Sequence, residues 1–284
     1  MVISLASSQF EYLRRLVVSR SGVVLPENQR YQTEARLSPL ARQQGLRSAP
    51  EMIQQIEDCT PCDLHDLVVE ALLPRQTAFF RDVHPFRLLR TQILPTLEIK
   101  RYEQLSLAIW CAGCADGQEA YSVAMMIHLY FPQLLDWALQ IIATDFSEAA
   151  LEHARLGRYR ESEVRNGLTP YFVKYCLRPD GEAFVVKDEI RRLVRFQRIN
   201  LIDEWTDLGE MDVVFLRNVL SYFAMEEQKS VLTRLSRVLR PDGYLLLGAQ
   251  ETTLEADPAY DMVPTDTTVF FKPREISGSN FMNN

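Results

Sequence analysis

Trp110–Met125 reads WCAGCADGQEAYSVAM, and the work done by its glycines and cysteines decides the fold. Cys111 and Cys114 lie three apart, and a second pair with the same spacing, Cys59 and Cys62, lies upstream. Zinc needs four ligands converging tetrahedrally, and two such pairs could supply them. Here a helix-rich stretch separates the pairs by more than the usual ribbon spacing, and Cys111 closes an apolar strand. A thioredoxin-like dithiol belongs at a helix N-terminus, but Gly117 intervenes between Cys114 and the helix. Cys111 and Cys114 are therefore expected to be small, buried and inert, and no metal site is expected.

A glycine-loop reading explains more. The apolar run ending at Trp110 passes through CAGCADG into a helix that begins near Gln118 or Glu119. Gly113 and Gly117 let the backbone turn sharply and approach a ligand at the carboxyl end of the strand. Asp145 ends the next apolar run, where a carboxylate can accept both hydroxyl hydrogens of a ribose. The G-x-G-x-x-G fingerprint of a pyrophosphate cradle is absent. Glu119 in the first helical turn repels phosphate and welcomes a cation. A phosphate-free, positively charged nucleoside satisfies both facts, and S-adenosylmethionine is such a molecule. The same glycines and aspartate also suit a plain tight turn and a helix cap.

Around this stretch, short apolar runs alternate with amphipathic helical segments from about Leu105 onward. LSLAIW, ALQIIATD, VRFQRINL, MDVVFLRN, GYLLLGAQ and TTVFFKP read as strands. This alternation predicts a mostly parallel sheet with helices on both faces. The last two strands have no ordinary helix between them, which suits an antiparallel edge. The segment 160–194 breaks the pattern, and its PDG turn at Pro179–Gly181 predicts an inserted hairpin. The preceding hundred residues are helical in pattern, starting with Phe10, Leu13, Leu16 and Val17 at helical intervals behind Ser7 or Ser8 as cap. The end, 274–284, reads as a disordered tail.

The chain has 284 residues, 47% hydrophobic and 24% charged, an ordinary soluble globular composition. No apolar run approaches the ~20 residues of a membrane span, and the start lacks a signal-peptide pattern. Five cysteines without a framework fit a reducing cytoplasm. The net charge of -7 argues against nucleic-acid binding. The first 50 residues nevertheless carry +4, leaving -11 for the rest. Such a basic start suits either an acidic partner or a solvated helix face.

Six collinear stretches resemble the chemotaxis receptor glutamate methyltransferases (CheR). They are QTAFFRD at 76–82, the opening stretch itself, ATDFSEAALEHARLGRY, FQRINLID, VVFLRNVLSYF and LSRVLRPDGYLLLGAQET. The resemblance spans roughly residues 8–272. It implies a Rossmann-like class I methyltransferase fold at 86–273 with a mostly parallel sheet and a small inserted β-subdomain at about 160–194. An all-helical N-terminal domain at 1–85 would face the receptor. It implies methyl transfer from S-adenosylmethionine to receptor glutamates in the cytoplasm, giving γ-methyl esters and S-adenosylhomocysteine. Thr77, Arg81, Glu119, Asp145, Asn200, Leu201, Asn218 and Val219 are the implied cofactor contacts, and the glycine-loop reading adds Gly113. Physical chemistry agrees for Glu119 with the ammonium, Asp145 with the ribose and Asn200 with the adenine edge. Arg81 and Tyr222 are the candidates for aligning the target carboxylate. Arg30, Arg36 and Arg42 would steer the acidic methylation helices of chemoreceptors.

The chain departs from the family pattern at several places. Arg75 stands where the family has Asn, Gln118 replaces the first acid of its G-E-E, Ala120 its Pro, and Ala249-Gln250 its His-Ser. LRPDGEA stands where receptor-tail-binding members carry a G-x-G turn. A cation at Arg75 opposes a sulfonium unless it points away. These changes leave a second class open, a cofactor-binding adaptor with weak or no transfer; retention of Glu119, Asp145 and Asn218 argues against it. A small-molecule methyltransferase is a third reading, against which the basic helix argues.

Overall fold

Alternating side chains on the buried strands build the molecule outward from a seven-stranded sheet. Leu107, Ile109 and Cys111 of β1 (Ser106–Ala112) enter one apolar cluster, while Trp110 and Ala112 enter another on the opposite face. The period of two is that of a strand buried on both sides. The computed structural model describes residues 5–60, 62–251, 260–265 and 269–274. After β1 come α7 (Gln118–Tyr130), β2 (Ala138–Asp145) and α8 (Glu148–Leu156). Later in the chain follow β6 (Val194–Arg198), β7 (Met211–Leu216), α12 (Met225–Val238), β8 (Leu239–Leu247), β9 (Tyr260–Pro264) and β10 (Val269–Pro273).

The sheet order is β6-β2-β1-β7-β8-β10-β9. β6, β2, β1, β7 and β8 are parallel, and β10 runs antiparallel to both β8 and β9. This is the expected Rossmann-like arrangement with an antiparallel edge. β9 was not legible in the sequence, because YDMVP carries no clean alternation and only Tyr260 is buried. Of the expected tail, only Arg274 lies among the described residues, where it pairs with Asp261 at 2.8 Å.

The N-terminal helices are α1 (Ser7–Ser21), α2 (Arg30–Gln43), α3 (Ala49–Glu57) and α4 (Asp63–Leu72). They follow the predicted periodicity closely. The cap differs: Ser7 is already helical, and Ala6 takes the cap position with its N–H donated to Gln9 Oε1 at 3.1 Å. Leu13, Val17, Leu37, Ile53 and Val69 join the cluster that contains Trp110, Ile142 and Val214. The helices therefore pack as a lid on one sheet face rather than around a core of their own. The other face is covered by α7 and by α5 (His84–Leu88) and α6 (Leu94–Lys100), which a π-helical turn at Leu89–Ile93 joins.

The interrupting segment is larger than the predicted hairpin. β4 (Leu177–Asp180) and β5 (Ala183–Val186) form it around Gly181, whose φ of 64° suits glycine. β3 (Arg158–Arg160), just before the predicted start, pairs with β5 as a third strand. α9 (Glu161–Arg165), α10 (Pro170–Cys176) and α11 (Asp188–Arg191) complete the segment.

A buried ion network locks the far end of the sheet. Arg101, only 8% exposed, donates to Asp212 at 2.7 Å and to Asp242 at 2.5 Å. The Arg101 hydrogen bond holds the Asp242 carboxyl at about 2, with Lys100 assisting. A carboxylate with a depressed folded pKa stabilises fully above its ordinary value of 3.8 and loses that contribution as pH falls toward 2. Asp242→Asn is thus expected to flatten the acid limb of the stability profile between about pH 4 and 2, measured by urea denaturation.

Candidate active site

The order in which the strands are laid down reverses between β1 and β7, with β2 and β6 added on one side of β1 and β7 and β8 on the other. Ligands bind at such a switch point beyond the strands' carboxyl ends. There lies a cleft, partly open to solvent, lined by residues from both halves of the chain. Two strand-end loops meet at its floor. Gly113 adopts φ 70°, and a Cβ there would stand 2.5 Å from Val219 Cγ2. Asn218, also left-handed at φ 59°, presses against Gly248, where a Cβ would meet its Nδ2 at 2.7 Å. Gly113→Ala combines a strained backbone with a clash. It is expected to abolish measurable cofactor binding in calorimetry, and Val219→Ala should rescue it only partly, since it removes the clash but not the strain.

Two half-buried carboxylates, Asp145 and Glu119, line this floor. Asp145, at the end of β2, accepts the Ala115 N–H at 2.8 Å and the Ser147 N–H at 2.9 Å. Burial pushes its carboxyl up, against the pull of those N–H donors. The Ala115 bond ties the loop after β1 to β2, so one carboxylate both orders the loop and lines the cleft. Glu119 Oε2 accepts from Arg217 at 2.8 Å, which leaves Oε1 without a protein partner among the described residues. Burial raises the Glu119 carboxyl and Arg217 opposes the rise.

Arg217 was not singled out in the sequence. Its side chain is 1% exposed and also donates to Asp82 at 2.7 Å and to the Arg81 carbonyl at 2.9 Å. It thereby pins a strained turn in which Phe80, Asp82 and Val83 all have positive φ. For a β-branched residue such as Val83 this is a costly conformation that surrounding structure must enforce. Arg81 sits in this turn, with one guanidinium nitrogen on the Gln76 carbonyl at 2.8 Å and the remaining fork uncommitted among the described residues.

The other predicted positions divide. Thr77, Leu201, Val219 and Tyr222 line the same cleft, and the Tyr222 hydroxyl has no partner among the described residues. Asn200 lines it too, but its amide donates to the Arg20 carbonyl at 2.9 Å and fastens α1 to the end of β6. One amide hydrogen is left for a ligand. Arg75 is not among the residues that line the cleft and pairs with Asp116, while its charge still reaches Asp145 and helps hold that carboxyl down. The three arginines of α2 do not form a stripe: spacings of six residues place them about 120° apart at 3.6 residues per turn. Arg30 turns inward to the Leu5 carbonyl and Ser7, Arg36 donates to the Leu72 carbonyl at 2.9 Å, and Arg42 is exposed. Arg36 borders a groove that runs into the cleft past Gln76 and Tyr222. Cys111 and Cys114 are buried, and burial pushes both thiols well up, as inert thiols require.

Glu251 is the second residue missed. It is 3% exposed and accepts from the N–H groups of Asn218 at 2.7 Å, Gly248 at 2.8 Å and Ser221 at 3.0 Å. It clamps the loop carrying Asn218, Val219 and Tyr222. Arg217 follows its apolar strand run directly, in VVFLR, and Glu251 lies four residues past its own, in LLLGAQE; a charge just beyond a buried strand is the signal that could have found them. Ser21 and Val23 also line the cleft, so the helical lid closes one wall of it.

This donor set fits a phosphate-free cationic nucleoside. The first turn of α7 presents a carboxylate rather than open N–H groups, and Asp145 offers acceptor oxygens at the second strand end. Residues 75–269 match the CheR methyltransferase SAM-binding domain and residues 8–73 the CheR methyltransferase all-alpha domain. Chemotaxis protein methyltransferase 1 of Pseudomonas aeruginosa is 36% identical over 276 residues, covering 96% of this chain and 100% of that one. Chemotaxis protein methyltransferase Cher2 of Pseudomonas putida is 33% identical, with the same coverage of 96% and 100%. The chemotaxis protein methyltransferase of Vibrio parahaemolyticus is 32% identical over 95% of this chain and 98% of its own. With two domains matched end to end and a cleft shaped for S-adenosylmethionine, the chain belongs to the CheR methyltransferase family.

Proposed function

We propose that the protein esterifies glutamate side chains on the cytoplasmic helices of chemoreceptors, acting in the cytoplasm. The observation that carries the reading is a cleft whose two carboxylates, Glu119 and Asp145, suit a cationic donor and are already committed to Arg217 and to backbone N–H groups. None of the four histidines lines it. A glutamate nucleophile needs none, since its reference pKa is about 4.3 and it is ionised at neutral pH. S-adenosylmethionine, when bound, supplies a methyl group on a positively charged sulfur that leaves without acid assistance. Asp145 holds the ribose hydroxyls, Glu119 the ammonium, and Asn200 the adenine edge with its remaining N–H. Gly113 and Val219 let the backbone close on the donor. Thr77 and Leu201 wall the cleft. Arg81 and Tyr222 orient the target carboxylate through the unused guanidinium fork and the free phenol. Rate then comes from proximity and alignment of the carboxylate oxygen with the methyl group.

The functional division we propose is a receptor-facing segment at 1–85 and a catalytic segment at 86–273. Arg36 and Arg42 are left to meet an acidic helix, while Arg30 is spent inside the lid. Among the described residues no helix is long and apolar enough to cross a membrane. The test is transfer of labelled methyl to purified receptor fragments: base-labile label on the receptor is expected, and base-stable label or none overturns the esterification. The charge reversals Arg36→Glu and Arg42→Glu are expected to lower receptor methylation about tenfold together, with S-adenosylhomocysteine affinity unchanged.

A further inference from the structure

The second cysteine pair has a different fate from the first. Cys59 lies just after α3 and Cys62 at the N-cap of α4, and both are exposed. His65, in the first turn of α4, is 3% exposed and turns its ring back toward them. The Cys59 and Cys62 sulfurs are 3.8 Å apart, and Cys62 Sγ is 3.5 Å from His65 Nδ1. All three ligand atoms fall within 4.8 Å of one another.

These separations have a chemical meaning. Zinc–sulfur bonds of about 2.3 Å and zinc–nitrogen bonds of about 2.0–2.1 Å at tetrahedral angles give an S–S edge of ~3.8 Å and an S–N edge of ~3.5 Å. Two edges of such a polyhedron are therefore already in place. The tautomer is also right: Nδ1 accepts the Cys62 N–H at 3.2 Å, which puts the ring proton on Nε2 and leaves a lone pair on Nδ1. An ion would take that lone pair from the Cys62 N–H. Cys111 and Cys114 are buried at the end of β1 and form no part of the cluster.

We propose that Cys59, Cys62 and His65 bind one zinc ion as two thiolates and one imidazole, with water in the exposed fourth position. Binding releases the two thiol protons to solvent, and no electron transfer is involved. The ion would clamp the turn between α3 and α4. That clamp bears on the cleft through α4. Glu70 near the other end of α4 accepts the Ser147 hydroxyl at 2.9 Å and the Glu148 N–H at 3.3 Å, two and three residues past Asp145. Leu73, just beyond α4, lines the cleft.

The experiment is a zinc chloride titration of the full chain, purified under reducing conditions and stripped with chelator, in competition with a chromophoric chelator. One equivalent is expected to bind with submicromolar affinity. Cobalt(II) in its place should give intense tetrahedral visible bands and a near-ultraviolet thiolate charge-transfer band. Cys59→Ser and Cys62→Ser should each weaken zinc by more than the ~10–100-fold that loss of an outer-shell partner costs. Both side chains are exposed, so the variants fold, and near-ultraviolet circular dichroism checks that they do. Absence of stoichiometric binding by the unmodified chain, binding unchanged in both variants, or octahedral cobalt spectra would each overturn the assignment. So would recovery of the pair as a Cys59–Cys62 disulfide that forms in preference to the metal site under those conditions.

Discussion

Asp145→Ala is expected to weaken S-adenosylhomocysteine binding about 100-fold or more, read by calorimetry. Two hydroxyl hydrogen bonds to an ionised acceptor contribute about 1.5–3 kcal/mol each, and about 2.7 kcal/mol is already a factor of ~100. The substitution also removes the acceptor for the Ala115 and Ser147 N–H groups, so the loop after β1 loses its tie to β2. Asp145→Asn separates the two contributions. The amide oxygen keeps one backbone bond while its NH2 faces a donor, so part of the loop order survives and most of the affinity does not. Near-normal affinity in both variants would refute the ribose assignment.

Arg217→Met should produce the largest loss of stability in the site. Removing one partner of a buried pair leaves an uncompensated charge, which costs about 3 kcal/mol or more. Glu119 is that charge, since its side chain is 12% exposed, whereas that of Asp82 at 42% can be hydrated. The turn at 80–83 loses two of its holding bonds at the same time. The pH dependence follows in sign. Arg217 is the chief influence that lowers the Glu119 carboxyl against burial. Without it Glu119 takes up a proton at higher pH, so affinity for the ammonium-bearing ligand declines at a higher pH than in the unmodified chain. Glu119→Gln in the Arg217→Met background should restore part of the stability and none of the binding. Thermal denaturation and calorimetry across pH test both statements.

Much of this architecture was legible in the chain. The apolar runs at β1, β2, β7 and β8 read as buried strands, and α8 and α12 show clear helical period, whereas α7 is not the amphipathic helix expected, being buried on nearly all sides from Gln118 to Ile127. Gly113 and Gly117 marked the sharp turn because only glycine accepts φ of 70° and 86° without strain. Ala115, Phe80 and Val83 also take positive φ though no residue type announced them, and Asn218 and Asp82 do so as residue types that tolerate it. These conformations are imposed by contacts with Asp145, Glu251 and Arg217, which lie far away in sequence. β9 stayed hidden for a similar reason, since its partner β10 supplies its pairing.

The order of apolar and polar residues determined which segments became strands and helices, and the collinear motifs determined the family. Those are local properties, set by period, by turn chemistry and by residue identity at fixed spacings. Tertiary structure alone decided that the helical segment packs as a lid on the sheet, that Asn200 is shared between lid and cleft, and that Arg30 turns inward while Arg36 borders the groove. It also decided which charges become partners, because burial makes an unpaired carboxylate costly. Arg217 and Glu251 reach their roles only when strand ends distant in sequence are brought side by side.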